Sequence, residues 1–334
     1  MIHQIERAWY QQAQWLKVLR PFSLLFTWLA KRRRDRYLQQ EGRYQTQVPV
    51  VVVGNISVGG TGKTPIVLAL INFFRSQGFH PGVVSRGYGA KPPKFPWIIH
   101  SNHPAEHTGD EPLLIHLRGH VDVVIDPNRT RAVQYLLENS MCDLVISDDG
   151  LQHYALSRDV EIAVIDGTRG LGNQRCLPEG PLREPVSRLS EVDFVLQNGG
   201  DVKLHSAVHL FHLEATQMIQ LGGGQEILAT DWVKRLADKK VHAVCGIGNP
   251  ERFYNTLSSL GLDPIPHRYE DHYCFTETDF KGLENYPIIM TEKDAVKCQG
   301  FSLNNAWVLQ VDVELPPLFT EALRQRIVAI QKET

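Results

Sequence analysis

The segment that most constrains the fold is a run of valines followed by a glycine-rich turn and an apolar helix. Residues 48–78 read VPVVVVGNISVGGTGKTPIVLALINFFRSQG. Consecutive valines are typical of a strand that is buried on both faces. After the turn, apolar residues recur at helical spacing, at positions 66, 67, 70, 71 and 74. Strand, glycine loop and helix in this order predict a nucleotide-binding α/β fold built around a phosphate loop.

The turn itself carries the residue types that hold a nucleotide phosphate. Glycines lack Cβ atoms, so backbone N–H groups can wrap a phosphate at the helix N-terminus. Lys63 is expected to reach the β- and γ-phosphates, and the Thr64 hydroxyl is expected to ligate Mg²⁺. The generic pattern has glycine where Ser57 stands. The predicted nucleotide-binding residues are Ser57, Val58, Gly59, Gly60, Thr61, Gly62, Lys63 and Thr64.

A second predicted strand, residues 144–146, is followed by two aspartates. Parallel α/β sheets bind ligands outside the carboxyl ends of their strands, so Asp148 and Asp149 are expected near the phosphate loop. Adjacent side chains on an extended backbone point to opposite faces, which predicts different roles for the two carboxylates. One would hold Mg²⁺ or its water and the other would orient the loop. Gln152 and His153 follow on the same loop and could contact phosphate or acceptor.

Five further positions are candidates on weaker local grounds. Asp110 precedes a predicted helix, where it could cap the helix or serve as a base. Arg86 and Tyr88 follow a strand, and Arg129 precedes a helix. Arginine at a strand end suits bidentate binding of an oxyanion. His272 lies in a predicted loop, where a histidine is usually a surface residue.

The N-terminal 47 residues differ in charge from the remainder of the chain. They carry nine Lys/Arg and three Asp/Glu, a net +6, whereas the remainder carries −8. The longest uncharged apolar run, residues 22–30, is too short for a bilayer core that needs roughly 20 helical residues. Aromatic side chains beside a basic cluster at 31–34 predict two helices, broken at Pro21, that lie in the membrane plane. A helix pair that caps the main domain would have the same pattern.

Composition narrows the classes of protein to which this chain can belong. The 334 residues include 43% hydrophobic and 22% charged residues, which is typical of a globular protein with one large or two unequal α/β domains. A formal net charge of −2 gives no general affinity for nucleic acid. Five cysteines without a CxxC pair favour reduced thiols in the cytosol over a disulfide framework or a zinc site.

Strand signals alternate with helical stretches through the first two thirds of the chain. They lie at 50–53, 82–85, 121–125, 143–147, 161–166 and 194–198. This alternation predicts a doubly wound, mainly parallel sheet of the P-loop NTPase type. We expect N-terminal helices at 1–47, a P-loop core at 48–204 and a smaller α/β domain at 205–334, with the active-site cleft between the last two.

A hydrolysis-driven switch is the main alternative, because GTP-binding switches share the phosphate loop. The segment IIMTEKD at 288–294 superficially resembles their guanine-reading [NT]KxD element. The spacing differs, since Glu292 stands where that element has lysine and Lys293 adjoins the aspartate. No DxxG switch motif is evident around Asp148. A membrane-associated P-loop NTPase acting as a switch is therefore the second choice.

Six motifs occur in the order SVGGTGKT, SRGYG, TGDEP, DDGLQH, LPEGPLREP and EDHY. Over nearly all of its length the chain resembles the tetraacyldisaccharide 4′-kinase family, the lipid A 4′-kinases of Gram-negative bacteria. The resemblance implies transfer of the γ-phosphate of ATP, with Mg²⁺, to the 4′-hydroxyl of a tetraacylated glucosamine disaccharide 1-phosphate, which yields lipid IVA. It further implies a peripheral or monotopic position at the cytoplasmic face of the inner membrane, with no nucleic acid and no obligate protein partner.

The same resemblance implies roles for individual residues. Lys63 matches the family's phosphate residue, and Thr64, Asp148 and Asp149 match its metal-binding residues. Asp110 and His272 match its proposed base and the partner of that base. The residues in its acceptor, phosphate and active-site loop segments are Arg86, Tyr88, Arg129, Gln152, His153, Arg183 and Glu184.

Overall fold

The structure is a computed structural model that describes residues 2–39, 44–303 and 305–333. Residues 1 and 40–43 of the predicted N-terminal segment, and residues 304 and 334 of the predicted second domain, lie outside the described residues. The chain begins with helix α1 (Ile2–Tyr10), a 3₁₀ helix (Gln14–Leu19) and helix α2 (Arg20–Gln39). Pro21 lies in the first turn of α2, where its missing N–H needs no partner, so the predicted helix boundary is confirmed. Within these ranges no helix is both long and apolar enough to span a bilayer.

Helix α2 is fastened to the body of the protein through a small buried side chain. The Ser23 hydroxyl donates to the carbonyl oxygen of Cys176 at 2.7 Å and accepts from the backbone N–H of Glu179 at 2.8 Å. Arg20 forms an ion pair with the Glu179 carboxylate at 3.2 Å. These contacts fix the start of α2 against the loop that precedes Arg183.

An eight-stranded sheet, called the large sheet below, forms the core. Its strands are β1 (Val50–Gly54), β2 (Pro81–Ser85), β3 (Trp97–Ile98), β4 (Val123–Ile125), β5 (Leu144–Asp148), β6 (Val160–Asp166), β7 (Phe194–Asn198) and β8 (Val208–Phe211). The spatial order is β3-β4-β2-β5-β1-β6-β7-β8, and all neighbours are parallel except β3 and β4. All six predicted strands are present. The doubly wound sheet is therefore confirmed, with the phosphate-loop strand β1 near its centre.

Helices cover both faces of this sheet. They are α3 (Lys63–Ser76), α4 (Ala105–Thr108), α5 (Asp110–Gly119) and α6 (Arg129–Asn139). The valines of β1 alternate between the two faces: Val51 and Val53 pack in the core that contains α3 and α5, whereas Val50 and Val52 pack in the core that contains α6. All four are completely buried. This two-sided burial explains why the strand has no polar position.

A second, six-stranded sheet, called the small sheet below, follows in the chain. Its strands are β9 (Leu213–Gln220), β10 (Glu226–Leu228), β11 (Lys240–Cys245), β12 (Asp263–Arg268), β13 (Ile288–Thr291) and β14 (Ala306–Val313). Helices α7 (Ala229–Arg235), α8 (Pro250–Ser259) and α9 (Glu292–Ala295) accompany it. The order is β10-β9-β14-β13-β11-β12, with β12, β11, β13 and β14 mutually parallel and β9 and β10 antiparallel.

The border between the two sheets differs from the predicted one at both ends of the second domain. Strand β8 lies within residues 205–334 but pairs with β7 of the large sheet, so the chain crosses between sheets at His212. The last helix, α10 (Pro317–Glu333), returns to the large sheet and buries Phe319, Leu323 and Ile327 in the α3 core. Apolar periodicity predicts a strand or a helix, but it does not tell which sheet the apolar face will cover.

Candidate active site

A cavity of about 1700 Å³ opens where the two sheets meet. The large sheet contributes the loops at the carboxyl ends of β1, β2 and β5, and the small sheet contributes the loop after β12 and helix α9. The predicted residues that line it are Val58, Gly59, Gly60, Gly62, Lys63, Thr64, Arg86, Tyr88, Asp110, Asp148, Asp149, Gln152, His153, Arg183, Glu184 and His272. Three predicted residues, Ser57, Thr61 and Arg129, do not line it.

The phosphate loop leads into an uncapped helix. Gly62 has a φ of +94°, and a Cβ there would lie 2.7 Å from Nδ2 of Asn198, so only glycine fits. Helix α3 begins at Lys63, and in the part of the chain that the structure describes no side chain caps its first turn. Its free N–H groups and positive dipole end therefore face the cavity, as phosphate binding requires.

Two residues of the loop shape it without lining the cavity. Ser57 is 5% exposed and forms a backbone bridge with Leu182, and Val58 donates its N–H to Pro181 O at 2.9 Å. Thr61 is 3% exposed. The side chains of Ser57 and Thr61 therefore turn into the protein, so the predicted contact of Thr61 with nucleotide would come from its backbone N–H. Both side chains are buried in the protein and do not face the cavity.

Lys63, Asp149 and Arg183 form an ion-paired group with a net charge of +1. Lys63 Nζ lies 3.4 Å from Oδ1 of Asp149, and Arg183 donates to both oxygens of the same carboxylate at 2.9 and 3.1 Å. Burial alone would raise the pKa of Asp149, but the two cations outweigh it and hold that pKa well below its ordinary value. Asp149 is thus ionised and already compensated by this chain's own side chains.

The pKa of Asp148 is shifted in the opposite direction from that of Asp149. Only 2% of the residue is exposed, and Oδ2 accepts a hydrogen bond from Ser85 Oγ at 3.1 Å. Among the described residues, Oδ1 has no hydrogen-bond donor although it is buried. Burial and the nearby charges of Glu111 and Asp149 raise the pKa of Asp148 far above its ordinary value. An orphaned carboxylate oxygen of this kind calls for a cation, and it lies at the strand end beside the phosphate loop.

A metal ion would find oxygen ligands at this point of the cavity. The Thr64 hydroxyl and the Asp148 carboxylate are hard oxygen donors, which Mg²⁺ prefers together with phosphate oxygens and water. Within the described ranges, no three His, Cys, Asp or Glu side chains are grouped as a complete metal site. The donor set fits an ion held jointly by the protein and a nucleotide.

Arg129 corrects a sequence expectation. Its side chain is 2% exposed and donates to the carbonyl oxygens of Asp126 at 2.9 Å and Asp148 at 3.1 Å. The predicted contact of Arg129 with an acceptor or phosphate is therefore not observed, because the guanidinium is buried beneath the end of β5. It instead stabilises the strand end that presents Asp148.

A carboxylate and an imidazole meet across the cavity. His272 Nδ1 lies 2.9 Å from Oδ2 and 3.1 Å from Oδ1 of Asp110. Asp110 begins helix α5 of the large-sheet part, whereas His272 follows β12 of the small sheet. His272 has a φ of +62°, a backbone conformation that non-glycine residues seldom adopt and that clusters at functional sites.

Two lysines that sequence reasoning missed surround Asp110. Lys293 Nζ lies 3.9 Å and Lys297 Nζ 4.0 Å from Oδ2 of Asp110, and Lys293 also lies 3.0 Å from the Asp271 carboxylate. Burial would raise the pKa of Asp110, but the hydrogen bond with His272 and the two lysines bring it below its ordinary value. The hydrogen bond with Asp110 raises the pKa of His272, against burial and Lys293.

The signal for these lysines was present in the sequence as an i, i+4 pair after strand β13. The same segment resembles a guanine-reading element with different spacing, which obscures the pair. In the structure Asp294 accepts from the backbone N–H of Gly246 at 3.0 Å and from Thr291 Oγ1 at 2.6 Å. The TEKD side chains are therefore bound within the protein, and the switch alternative receives no support from them.

The remaining predicted residues form the wall of the cavity beside Asp110 and His272. Gln152 donates to Glu184 Oε1 at 2.8 Å, which joins two loops. Tyr88 is 68% exposed, and its ring centroid lies 5.2 Å from that of His272. Burial lowers the pKa of His153 to about 3, with Arg129 and Arg86 adding to the effect, so its imidazole is neutral. The rings of Tyr88 and His153 thus offer flat surfaces in the cavity wall, which suit a sugar.

Several known proteins are similar to this chain over most of its length. The family model for tetraacyldisaccharide-1-P 4′-kinase matches residues 15–328. A tetraacyldisaccharide 4′-kinase of Pseudomonas fluorescens (strain SBW25) is 48% identical over 320 residues, covering 96% of this chain and 94% of that protein. Another, of Pseudomonas entomophila (strain L48), is 50% identical over 306 residues and covers 91% and 90%. The crystal structure of LpxK from Aquifex aeolicus in complex with ATP is similar with a TM-score of 0.78 and 28% identity, covering 94% of this chain and 100% of that one.

Proposed function

This chain belongs to the tetraacyldisaccharide-1-P 4′-kinase family, and we propose that its Asp110–His272 pair accepts the proton of the acceptor's 4′-hydroxyl. The chain is an ATP-dependent kinase that transfers the γ-phosphate to the 4′-hydroxyl of tetraacyldisaccharide 1-phosphate and so forms lipid IVA, in lipid A biosynthesis. One observation carries the proposal for the pair: the hydrogen-bonded carboxylate and imidazole share one cavity with an uncapped phosphate-loop helix.

The phosphate loop and the start of α3 hold the triphosphate. Backbone N–H groups from Gly59 to Gly62 bind phosphate oxygens, and the Lys63 ammonium lies where charge builds on the transferred group. Lys63 is held in place by Asp149, which is in turn held by Arg183. The carboxylate therefore positions the lysine for contact with the phosphates.

Thr64 and Asp148 are the residues that would hold Mg²⁺. When bound, the ion neutralises phosphate charge and aligns the γ-phosphate for in-line displacement. The unpaired Oδ1 of Asp148 is the oxygen with no competing donor among the described residues. Asp149 is already paired, so we assign it to the loop and to Lys63 and not to the metal.

The proton of the 4′-hydroxyl goes to His272. Asp110 receives hydrogen bonds from His272 and the Glu111 N–H and has two lysines nearby, so it is a weak base. With Nδ1 bound to Asp110, the imidazole accepts a proton at Nε2. The acceptor oxygen then bonds to the γ-phosphorus as the bond from that phosphorus to the β–γ bridging oxygen breaks, and ADP leaves.

The N-terminal helices bring the enzyme to its lipid. Apolar side chains at least 51% exposed cluster there, namely Trp15, Val18, Phe22, Leu24, Leu25, Trp28 and Leu29. Such a face beside basic residues binds the interface of an anionic membrane, each basic residue adding on the order of 1 kcal/mol. We place this contact at the cytoplasmic face of the inner membrane, because an acceptor with four acyl chains stays in the bilayer.

A transfer assay tests the function directly. The full chain, with Mg²⁺ and ATP labelled in the γ-phosphate, is incubated with tetraacyldisaccharide 1-phosphate in micelles, and parallel reactions contain labelled GTP or no acceptor. We expect label in the lipid that depends on acceptor and a clear preference for ATP. Release of inorganic phosphate at the same rate with and without acceptor would instead favour the hydrolysing switch.

A further inference from the structure

Helix α5 contacts the small-sheet part of the protein from both of its ends. Its first residue, Asp110, meets the imidazole described above. From its last turn, Arg118 donates through Nη1 to Glu292 Oε2 and to the carbonyl oxygen of Val311, both at 2.8 Å. Nη2 of the same side chain donates to the Asp312 carboxylate. One helix therefore carries the reactive carboxylate at its start and an attachment to three acceptors near its end.

The three acceptors belong to the elements by which the chain enters and leaves the small sheet. Glu292 begins α9, and Val311 and Asp312 lie near the end of β14, after which the chain returns to the large sheet. Val311 also donates its N–H to Glu292 Oε2 at 3.2 Å. Asp312 accepts from Thr216 Oγ1 of β9, the entering strand, at 2.6 Å. A single guanidinium thus joins α5 to α9, to β14 and, through Asp312, to β9.

This attachment is largely shielded from water. The side chain of Arg118 is 17% exposed and that of Glu292 is 10% exposed. Burial raises the pKa of Glu292 to about 7, against the influence of Arg118 and the Val311 N–H. The planar fork of a guanidinium fixes the direction of each hydrogen bond, whereas a lysine ammonium at the same place would be a single point charge. The contact therefore sets a geometry as well as a charge.

Helix α9 completes a closed path of contacts back to the reactive carboxylate. Lys293 follows Glu292 in the chain, and its Nζ lies 3.9 Å from Oδ2 of Asp110. The same Nζ lies 3.0 Å from the carboxylate of Asp271, the neighbour of His272. Helices α5 and α9 are thus joined at two places. A shift of α9 along α5 would displace the imidazole from its carboxylate partner.

We propose that Arg118 is a positioning residue of the transfer reaction, which keeps His272 aligned with Asp110 by fixing α5 against the small sheet. The inference rests on the proposed function and deepens it. Arg118 acts here through other side chains and not on the reactants. A displacement of about 1 Å at the reacting groups can lower a rate by about 10²-fold, so a contact far from the reacting atoms can govern turnover.

The test compares two conservative variants with a matched control. Arg118→Lys keeps the charge but cannot reach three acceptors with one fixed fork, and Glu292→Gln keeps an acceptor for the backbone but loses the charge. The control is Arg326→Lys, which changes an arginine 3.9 Å from the Asp193 carboxylate and outside the cavity lining. Asp110→Asn is the reference for a disrupted pair. For each enzyme we measure Tm, kcat, KM for MgATP and the pH profile of kcat/KM.

We expect Arg118→Lys and Glu292→Gln to lower kcat by about 10-fold or more, with KM for MgATP close to wild type. The midpoint of the pH profile should move down in both, as in Asp110→Asn, because a looser hydrogen bond raises the pKa of His272 less. Arg118→Lys/Asp110→Asn should be scarcely slower than Asp110→Asn. Arg326→Lys should match wild type in all four measurements.

The direction of the pH shift separates positioning from a local effect on the ion pair. Weakening the contact with Arg118 would raise the pKa of Glu292 further, so a midpoint that moved up in Arg118→Lys would report Glu292 itself and would overturn the proposal. A lower Tm with kcat unchanged would show a structural role only. Losses that add in Arg118→Lys/Asp110→Asn, or an equal loss in Arg326→Lys, would also overturn it.

These outcomes leave the proposed function separately measurable. If the wild-type enzyme transfers phosphate and Asp110→Asn lowers both kcat and the pH midpoint, the catalytic pair stands whatever Arg118→Lys does. If Asp110→Asn leaves the midpoint unmoved, the role of the pair fails, and the positioning role fails with it. Absence of transfer by the wild-type enzyme would overturn the function itself.

Discussion

His272 Nδ1 lies 2.9 Å from Oδ2 of Asp110, although 162 positions separate the two residues in the chain. The side chains that contact the Asp110 carboxylate, namely His272, Lys293 and Lys297, follow β12 in the chain and lie with the small sheet. The pair therefore exists only where the two sheets meet.

If the pair works as one unit, the losses from its two members will not add. Asp110→Ala and His272→Ala should each lower kcat/KM by about 10²-fold or more, as expected for loss of general base catalysis. The double variant should be scarcely slower than the worse single variant. Thermal melts of all three variants control for unfolding. Strict additivity of the free-energy losses in folded variants would mean independent roles.

The pair should also give kcat/KM a distinctive pH dependence. His272 accepts a proton only when it is neutral, so activity is present above its pKa and falls as pH falls through it. The hydrogen bond with Asp110 raises that pKa above the ordinary value of 6.5, so we expect the midpoint above 6.5. In Asp110→Asn the midpoint of the residual activity should move down. An unmoved midpoint would show that another group titrates.

Removing the phosphate-loop lysine should abolish most transfer. Lys63→Ala should lower kcat by about 10²-fold or more, because it removes a charge that stabilises the transition state. Lys281→Ala, which removes an exposed lysine outside the cavity lining, is the control and should behave as wild type. Near-normal turnover by Lys63→Ala would refute the role assigned to the loop.

Asp148 and Asp149 should respond differently to neutralisation. Asp148→Asn should raise the Mg²⁺ concentration needed for half-maximal activity by about 10-fold or more, and Mn²⁺ binding followed by electron paramagnetic resonance should weaken with it. Asp149→Asn should mainly lower kcat by freeing Lys63 and Arg183. If both substitutions weakened metal binding equally, the assignment of the metal to Asp148 would fail.

The stability of Asp148→Asn provides a separate measurement. Because the folded state raises the pKa of Asp148 above its ordinary value, the ionised carboxylate costs stability once the pH exceeds that ordinary value. In metal-free buffer at pH 8, Asp148→Asn should therefore melt at the same temperature as wild type or higher. A clearly lower Tm would mean that the carboxylate is compensated within the protein.

The exposed face of α2 should govern membrane binding. Phe22→Ser/Leu25→Ser/Trp28→Ser should weaken binding to anionic vesicles by about 10-fold or more, since burial of each apolar side chain contributes about 1.5–3 kcal/mol. All three are at least 53% exposed, so Tm and ATP binding should change little. High salt should weaken wild-type binding in part. Unchanged flotation of the variant would place the contact elsewhere.

Local sequence patterns predicted the elements that depend on neighbours in the chain. The valine strand, the glycine turn and helix α3 lie within one continuous segment, and their residues are sufficient to specify them. The Asp110–His272 pair depends on how two sheets meet, and no spacing encodes that. Its prediction came from the resemblance to a family and not from periodicity.

The predictions that differ from the structure also have physical causes. Arg129 has the residue type and position of an oxyanion contact, but it is buried, and its Nη1 and Nη2 donate to two backbone carbonyls. Lys293 was overlooked because it stands in a segment that resembled a different motif. The predicted second domain, 205–334, includes strand β8 and helix α10, which belong with the large sheet. Each has an apolar face that either sheet could have covered.

Ser23 has a consequence for which hydroxyl the enzyme can modify. Its side chain is short, and it donates to the carbonyl of Cys176 and accepts from the N–H of Glu179, so the start of the lipid-facing helix is attached to the loop that leads to the reaction centre. With α2 lying in the headgroup layer as proposed, the γ-phosphate stands at a constant height over the bilayer. Hydroxyl groups closer to the acyl chains lie below that height. The buried serine thus helps to set the distance between the reaction centre and the bilayer. The choice among the hydroxyls of one lipid then depends on their depth in the headgroup layer as well as on their contacts.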